Sequence, residues 1–210
     1  MPIEIHPGLD GDAARFAEIE HVAYKDNPME PVLFPGPFPK EVLTKRGEDL
    51  LKSKNEDPQI RWVKAIDTDT DEVVGWAQWQ IIDGPKAVAP EKRTFGQGCN
   101  VEACEEFFGA IHKTRHELMD GKHHALLNLL QTDPKHRRRG VGGLLLEWGI
   151  QVADELGIPA YLESSPMAHS LYEKYGFKDV HIFEMDPKFN IPSNADPRIW
   201  FMIRDVPIKP

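Results

Sequence analysis

The chain has 210 residues, of which 40% are apolar and 28% charged, and 34 acidic residues against 25 lysines and arginines leave a net charge of −9. That is the length of one domain able to bury a sizeable core, with the composition of a folded chain. The negative charge excludes general binding to nucleic acid or anionic membranes, because most of the surface repels polyanions. Two cysteines, Cys99 and Cys104, are too few for a disulfide framework. No apolar run approaches the roughly 18 residues of a membrane span, and MPIEIHPGLDGD lacks the basic and apolar regions of a secretory signal. A reducing, cytoplasmic setting is expected.

Ile3 and Ile5 alternate with polar residues as in a short strand, and Phe16, Ile19 and Ala23 recur at helical spacing after Asp12, a candidate cap. The segment NPMEPVLFPGPFPKE holds five prolines and two phenylalanines, Phe34 and Phe38, and is expected to be irregular. A helix over about 40–54 follows. Two β-rich runs then flank Asp67–Asp71 as an antiparallel hairpin, with Trp76 and Trp79 on opposite faces, one in the core and the other free to line an acceptor pocket. Residues 84–98 are poor in apolar residues and predict a surface excursion, and 101–119 predict a helix. Together 84–124 form an insertion or lid within a single domain spanning 1–210. Cys99, Cys104, His112 and His116 in that insertion do not have the spacing of a standard zinc module, so no metal is expected.

From Ala125 the pattern sharpens. ALLNLLQTD is a strand of the buried type; VGGLLLEWGIQVADELG is helical and stopped by Gly157; AYLESS is a short strand; a helix over 166–175 is expected to start at Ser165 and Pro166; and 177–185 and 199–205 close the fold as strands. Between the first strand and its helix lies KHRRRGVGG, residues 135–143. A helix entrance carries unsatisfied N–H groups and the positive end of the helix dipole, so the run predicts an anion site, with the glycines at 140, 142 and 143 letting a diphosphate approach the backbone. A P-loop would need Lys-Ser/Thr where Leu144 and Leu145 stand, and a dinucleotide fingerprint would need glycine in place of Leu145.

Arg137, Gly140 and Gly142 instead fit Arg-x-x-Gly-x-Gly, and about 35 residues on, AHSLYEKYGF (168–177) fits Ala-x-x-Leu-Tyr-x-Lys-x-Gly-Phe. In this order and context the two motifs resemble the GNAT superfamily of acetyl-CoA-dependent N-acetyltransferases, over about 125–180. The resemblance implies an α/β fold: a mixed, mostly antiparallel central sheet, splayed at its middle and flanked by helices. It implies acetyl-CoA as cosubstrate, its pyrophosphate held at Arg137, Arg138, Arg139, Gly140, Val141, Gly142 and Gly143 and its pantetheine lying along Leu129, Leu130 and Gln131. It also implies direct attack of an amine on the thioester, with Tyr172 in the general-acid position.

A phenol is protonated at neutral pH and can serve a departing thiolate. Glu163, in the strand before the tyrosine helix, is the candidate base, with Asp133, His123 and His124 in reserve. The family often has asparagine six residues before the tyrosine; Pro166 stands there and removes that contact. The expected acceptor is the primary amine of a small molecule. A peptide or protein amine, or a non-catalytic CoA-binding or protein-interaction module on the same fold, are the alternatives. Pairing through the closing strands or the insertion helix would give a homodimer.

Overall fold

The computed structural model describes residues 2–84 and 94–206; most of the surface excursion expected over 84–98 lies outside them. Side-chain alternation decides the layers. In β2 (Ile60–Asp67) Trp62 faces one side of the sheet and Val63 and Ala65 the other, and in β3 (Glu72–Ile82) Trp76 and Ala77 divide in the same way. With β1 (Ile3–Pro7), β4 (His124–Thr132), β5 (Ala160–Ser164), β6 (Lys178–Glu184) and β7 (Arg198–Arg204) they form one sheet in the order β1-β2-β3-β4-β5-β7-β6. All its neighbours are antiparallel except β4 and β5. The mixed, mostly antiparallel sheet expected from the sequence is thus present.

On one face α5 (Val141–Leu156) lays Leu145, Leu146, Ile150 and Ala153 against Val63, Ala77, Trp79 and Leu127, joined by Tyr172 of α6 (His169–Lys174). The other face is covered in two halves. Over β2 and β3, α1 (Ala13–Tyr24) and α3 (Val42–Glu56) bury Phe16, Ile19 and Leu50 against Trp62 and Trp76. Over β4, β5 and β7, α4 (Val101–Met119) sets Ile111 and Met119 on Leu126, Tyr161 and Phe201. The insertion helix is therefore a wall of the fold. Its first turn is capped by the Asn100 side chain, which accepts from the Ala103 N–H at 3.3 Å. Among the described residues no helix is long and apolar enough to cross a membrane.

Three local expectations are corrected. The proline-rich segment contains a short helix, α2 (Glu30–Leu33), because Pro31 falls in its first turn, where no N–H is needed. The helix expected from 166 starts at His169: the Ser165 carbonyl accepts from the N–H groups of Ala168 and His169, which makes 166–168 a preceding turn. Neither hairpin tryptophan lines a pocket. Both are fully buried on their opposite faces, Trp76 stacked on Phe16 at 4.5 Å between ring centroids.

Trp79 explains a glycine inside α5. A Cβ at Gly149 would lie 1.9 Å from the indole, so only a glycine lets this helix approach the sheet so closely. Gly149→Ala should destabilise the fold by about 1–3 kcal/mol through overpacking. Urea unfolding checks it: the midpoint should fall with an unchanged m-value.

Candidate active site

β4 and β5 pair at only three positions, from Ala125 opposite Ala160 to Leu127 opposite Leu162. Beyond them β4 stays paired with β3 as far as Thr132, while among the described residues no strand takes up its other edge. A bulge marks the parting: Gln78 opposes Leu129 and Trp79 opposes Leu127, leaving Asn128 as the extra residue. The backbone of Leu129, Leu130 and Gln131 thus borders an open gap. It offers hydrogen-bonding groups to an extended ligand as a sheet edge would.

At the mouth of this gap the chain turns from β4 into α5 through residues 133–140. Asp133 holds the start of the turn, accepting from the Lys135 N–H at 3.1 Å and from Arg15 at 2.9 Å. Arg137 donates to Asp26 at 3.0 Å and to the Ala23 carbonyl at 2.9 Å, and Arg139 donates to Asp67 at 2.7 Å. Two of the three arginines are therefore committed to other parts of the protein. Arg138 is exposed and forms no ion pair among the described residues. Arg138 and Gly140 both have left-handed backbones, φ 62° and 81°. These turns leave the N–H groups of residues 138–143 with no hydrogen bond among the described residues, at the positive end of a 16-residue helix.

The glycines divide by role. A Cβ on Gly140 would meet nothing within 4 Å, and its requirement is conformational. On Gly142 it would make ordinary contacts, 3.5 Å to Leu171 and 3.6 Å to Leu130. On Gly143 it would lie 2.6 Å from the Tyr175 hydroxyl. Gly143 thus also serves internal packing against Tyr175. Val141 is buried beneath the turn, and its side chain comes within 2.6 Å of where a Cβ on Gly75 would sit. The orphaned N–H groups, the uncommitted Arg138 and the open β4 edge together fit a CoA-type ligand, with diphosphate at the helix entrance and pantetheine in the gap.

Two phenols reach the gap from opposite faces of the sheet. Tyr172, from the α5 and α6 side, is 6% exposed and packs on Phe177. Its pKa is pushed well above the usual phenol range, first by burial and then by the nearby Tyr24 phenol. Tyr24, at the end of α1, lies 3.4 Å from the Gln131 side-chain amide. Although 38% of Tyr24 remains exposed, desolvation of its phenol first, and the Glu20 carboxylate second, push its pKa up to about 12. Gln131 keeps its buried side-chain oxygen without a partner.

The carboxylates around the gap are not equivalent. Glu163 is gripped by Arg115 of α4 through two hydrogen bonds, 2.7 and 2.8 Å, one to each oxygen, and its side chain is 9% exposed. Glu30, in the first turn of α2, forms no ion pair among the described residues, and its pKa is raised by burial first and by Glu20 second. Its charge is felt at Tyr24. Glu20 is itself tied to Arg46 of α3 by two hydrogen bonds of 2.9 Å. Sequence reasoning passed over Glu30 because a carboxylate among prolines looks like loop solvation; only the fold of α1 and α2 sets it beside Tyr24. Of the reserve candidates, Asp133 stands at the mouth of the gap, engaged by Arg15 and the Lys135 N–H. His124 is buried at the closed end of the gap with its ring bonded to the Lys122 carbonyl, and His123 pairs with Asp83 at 3.2 Å. Among the described residues no group of three or more His, Cys, Asp or Glu could hold a metal ion.

A family model described as the acetyltransferase (GNAT) family matches residues 32–177. A curated relative, "Probable acyltransferase SID5" of Ajellomyces capsulatus, is 34% identical over 84 residues, 40% of this chain and 56% of that protein, so the match spans little more than half of the relative's length. Solved structures share the fold. One is a histone acetyltransferase HPA2 and related acetyltransferase from Corynebacterium glutamicum, with TM-score 0.66 and 21% identity, covering 100% of this chain and 99% of that one. Another is arylalkylamine N-acetyltransferase 2 from Aedes aegypti, with TM-score 0.70 and 14% identity, covering 99% and 100%.

The division among glycines and arginines gives a ranking. Gly140→Val, which forces a branched side chain into a left-handed backbone, should weaken CoA binding more than Arg138→Gln. Gly142→Ala should bind within about twofold of wild type, its Cβ meeting only ordinary contacts. Calorimetric titration with CoA reads all three.

Proposed function

As the chain belongs to the acetyltransferase (GNAT) family, we propose that it moves an acetyl group from acetyl-CoA to the primary amine of a small molecule. The observation that carries this reading is the gap between β4 and β5, which leads from six unbonded N–H groups at residues 138–143 to the Tyr172 and Tyr24 phenols. The bound thioester supplies the acetyl group, which the amine attacks directly.

The protein's own groups divide the remaining work. The N–H groups of 138–143 and Arg138 take up the diphosphate charge, and the open edge of Leu129–Gln131 aligns the pantetheine arm. An ammonium substrate must lose a proton before it can attack. Glu30 is the better base, because burial and Glu20 already favour its protonated form, whereas both oxygens of Glu163 are engaged by Arg115. Glu163 remains the second candidate. Tyr172 is the donor assigned to the leaving sulfur. An ordinary thiol has a pKa of about 8.5 and an ordinary phenol about 10, and Tyr172 lies higher still. Complete proton transfer to the thiolate is therefore uphill, so Tyr172 acts by hydrogen-bonding the developing charge.

A small acceptor is favoured by α4, which lies across the face beside the gap and, with α2 and its Phe34, narrows the approach. Glu20 and Glu30 suit a cationic amine, as in the reaction named for the Aedes aegypti neighbour. A cytoplasmic setting and pairing of two copies complete the proposal.

Tyr172→Phe keeps the packing and loses the donor; kcat should fall about 10- to 100-fold with CoA affinity retained. Glu30→Gln should abolish the acid limb of kcat/KM. That limb should lie above the ordinary carboxylate range, because the base form disappears as pH falls through the raised pKa. With its folded pKa raised, ionised Glu30 opposes folding as pH rises, so the same variant should melt at pH 7 no lower than wild type. Thiol release from acetyl-CoA across a panel of small amines, peptides and protein substrates tests the acceptor class. Release with peptides alone would overturn the small-molecule reading, and CoA binding without release on any acceptor would favour a non-catalytic module.

A further inference from the structure

The phosphate-binding turn is held in shape by a residue about 70 positions away in sequence. Asp67 closes β2 and opens the β2–β3 hairpin, and its side chain is only 3% exposed. One oxygen accepts from the Asp69 N–H at 3.2 Å and the other from Arg139 at 2.7 Å. The same Arg139 nitrogen lies 2.7 Å from Nδ1 of His136, which is 3.9 Å from Asp67. A guanidinium cannot accept, so this contact is a hydrogen bond in the form whose Nδ1 carries no proton. Three side chains from the hairpin and the turn thus form one closed, mostly buried cluster.

Its position gives it a consequence for the ligand. Arg139 stands between the two left-handed residues, Arg138 at φ 62° and Gly140 at φ 81°. A left-handed backbone costs an arginine energy and persists only where its surroundings fix it. Fastening Arg139 from outside fixes both neighbours, and with them the outward set of N–H groups. We propose that Asp67 is a positioning residue for acetyl-CoA binding, acting through Arg139 to hold the phosphate-binding turn in its N–H-presenting form. The proposal rests on the reading of residues 138–143 as the diphosphate site.

Titration of the full chain with CoA, which needs no acceptor and no turnover, is the direct test. Asp67→Asn keeps the size and the acceptor for Asp69 while removing the charge. It should weaken CoA binding about tenfold, as when the outer support of a ligand-holding group is lost. In turnover assays KM for acetyl-CoA should rise by a similar factor while kcat at saturation changes less than twofold. Because Asp67 acts through Arg139, adding Asp67→Asn to Arg139→Gln should weaken binding little beyond Arg139→Gln alone. Wild-type affinity in Asp67→Asn, or fully additive losses in the double variant, would overturn the proposal. Should Asp67→Asn fail to fold, Arg139→Gln decides alone: a folded variant that binds CoA like wild type overturns it. Failure of the wild-type protein to bind CoA would instead remove the functional reading beneath it.

Discussion

Everything in the site depends on the parting of two strands. Parallel neighbours normally continue their ladder, but here β4 leaves β5 after three residue pairs, at the point where the Asn128 bulge bends it. The cost is a row of backbone groups with no partner in the sheet, which a folded protein tolerates only where water or a ligand takes them up. The layers on either side keep the gap open. α5 and α6 pack on one face of the sheet, and α1, α3 and α4 on the other. What this edge of β4 offers an extended ligand is backbone hydrogen-bonding groups, not side chains.

Charge in the neighbouring turn is used in an equally indirect way. An acidic protein presenting Arg137–Arg139 suggests a patch of positive potential, yet two of these guanidinium groups are neutralised within the fold by Asp26 and Asp67. What the turn offers an anion is mostly the dipolar end of α5, with the exposed charge of Arg138 beside it. Such a site is local enough to function on a surface of net charge −9. Arg137 and Arg139 instead fasten the turn to the rest of the fold.

Much of this was legible in the sequence because it depends on short-range order. The glycines at 140 and 157 bracket α5, both in left-handed conformation, and strand alternation placed Trp76 and Trp79 on opposite faces. The two motifs around Gly140 and Tyr172 pointed to the family. What stayed hidden depends on long-range pairing. Arg115 lies 48 residues before Glu163, and Arg46 26 residues after Glu20, and nothing in either local pattern announces its partner. Glu30 carried no signal because its environment is made by α1, α2 and α3 together. The helix in the proline-rich segment is hidden because proline breaks helix interiors, whereas Pro31 stands in a first turn, where it is a compatible residue.

Arg137 joins the two halves of the site in a further sense. Its bonds to Asp26 and to the Ala23 carbonyl tie the phosphate turn to the end of the helix that carries Tyr24. If the turn holds the donor, a molecule that ordered it would also order the end of α1 through Arg137. By thermodynamic reciprocity an acceptor that orders α1 returns the same favour to the donor. On the proposed reading, donor and acceptor would be energetically linked through this one fastening even if the two molecules never touched before reacting.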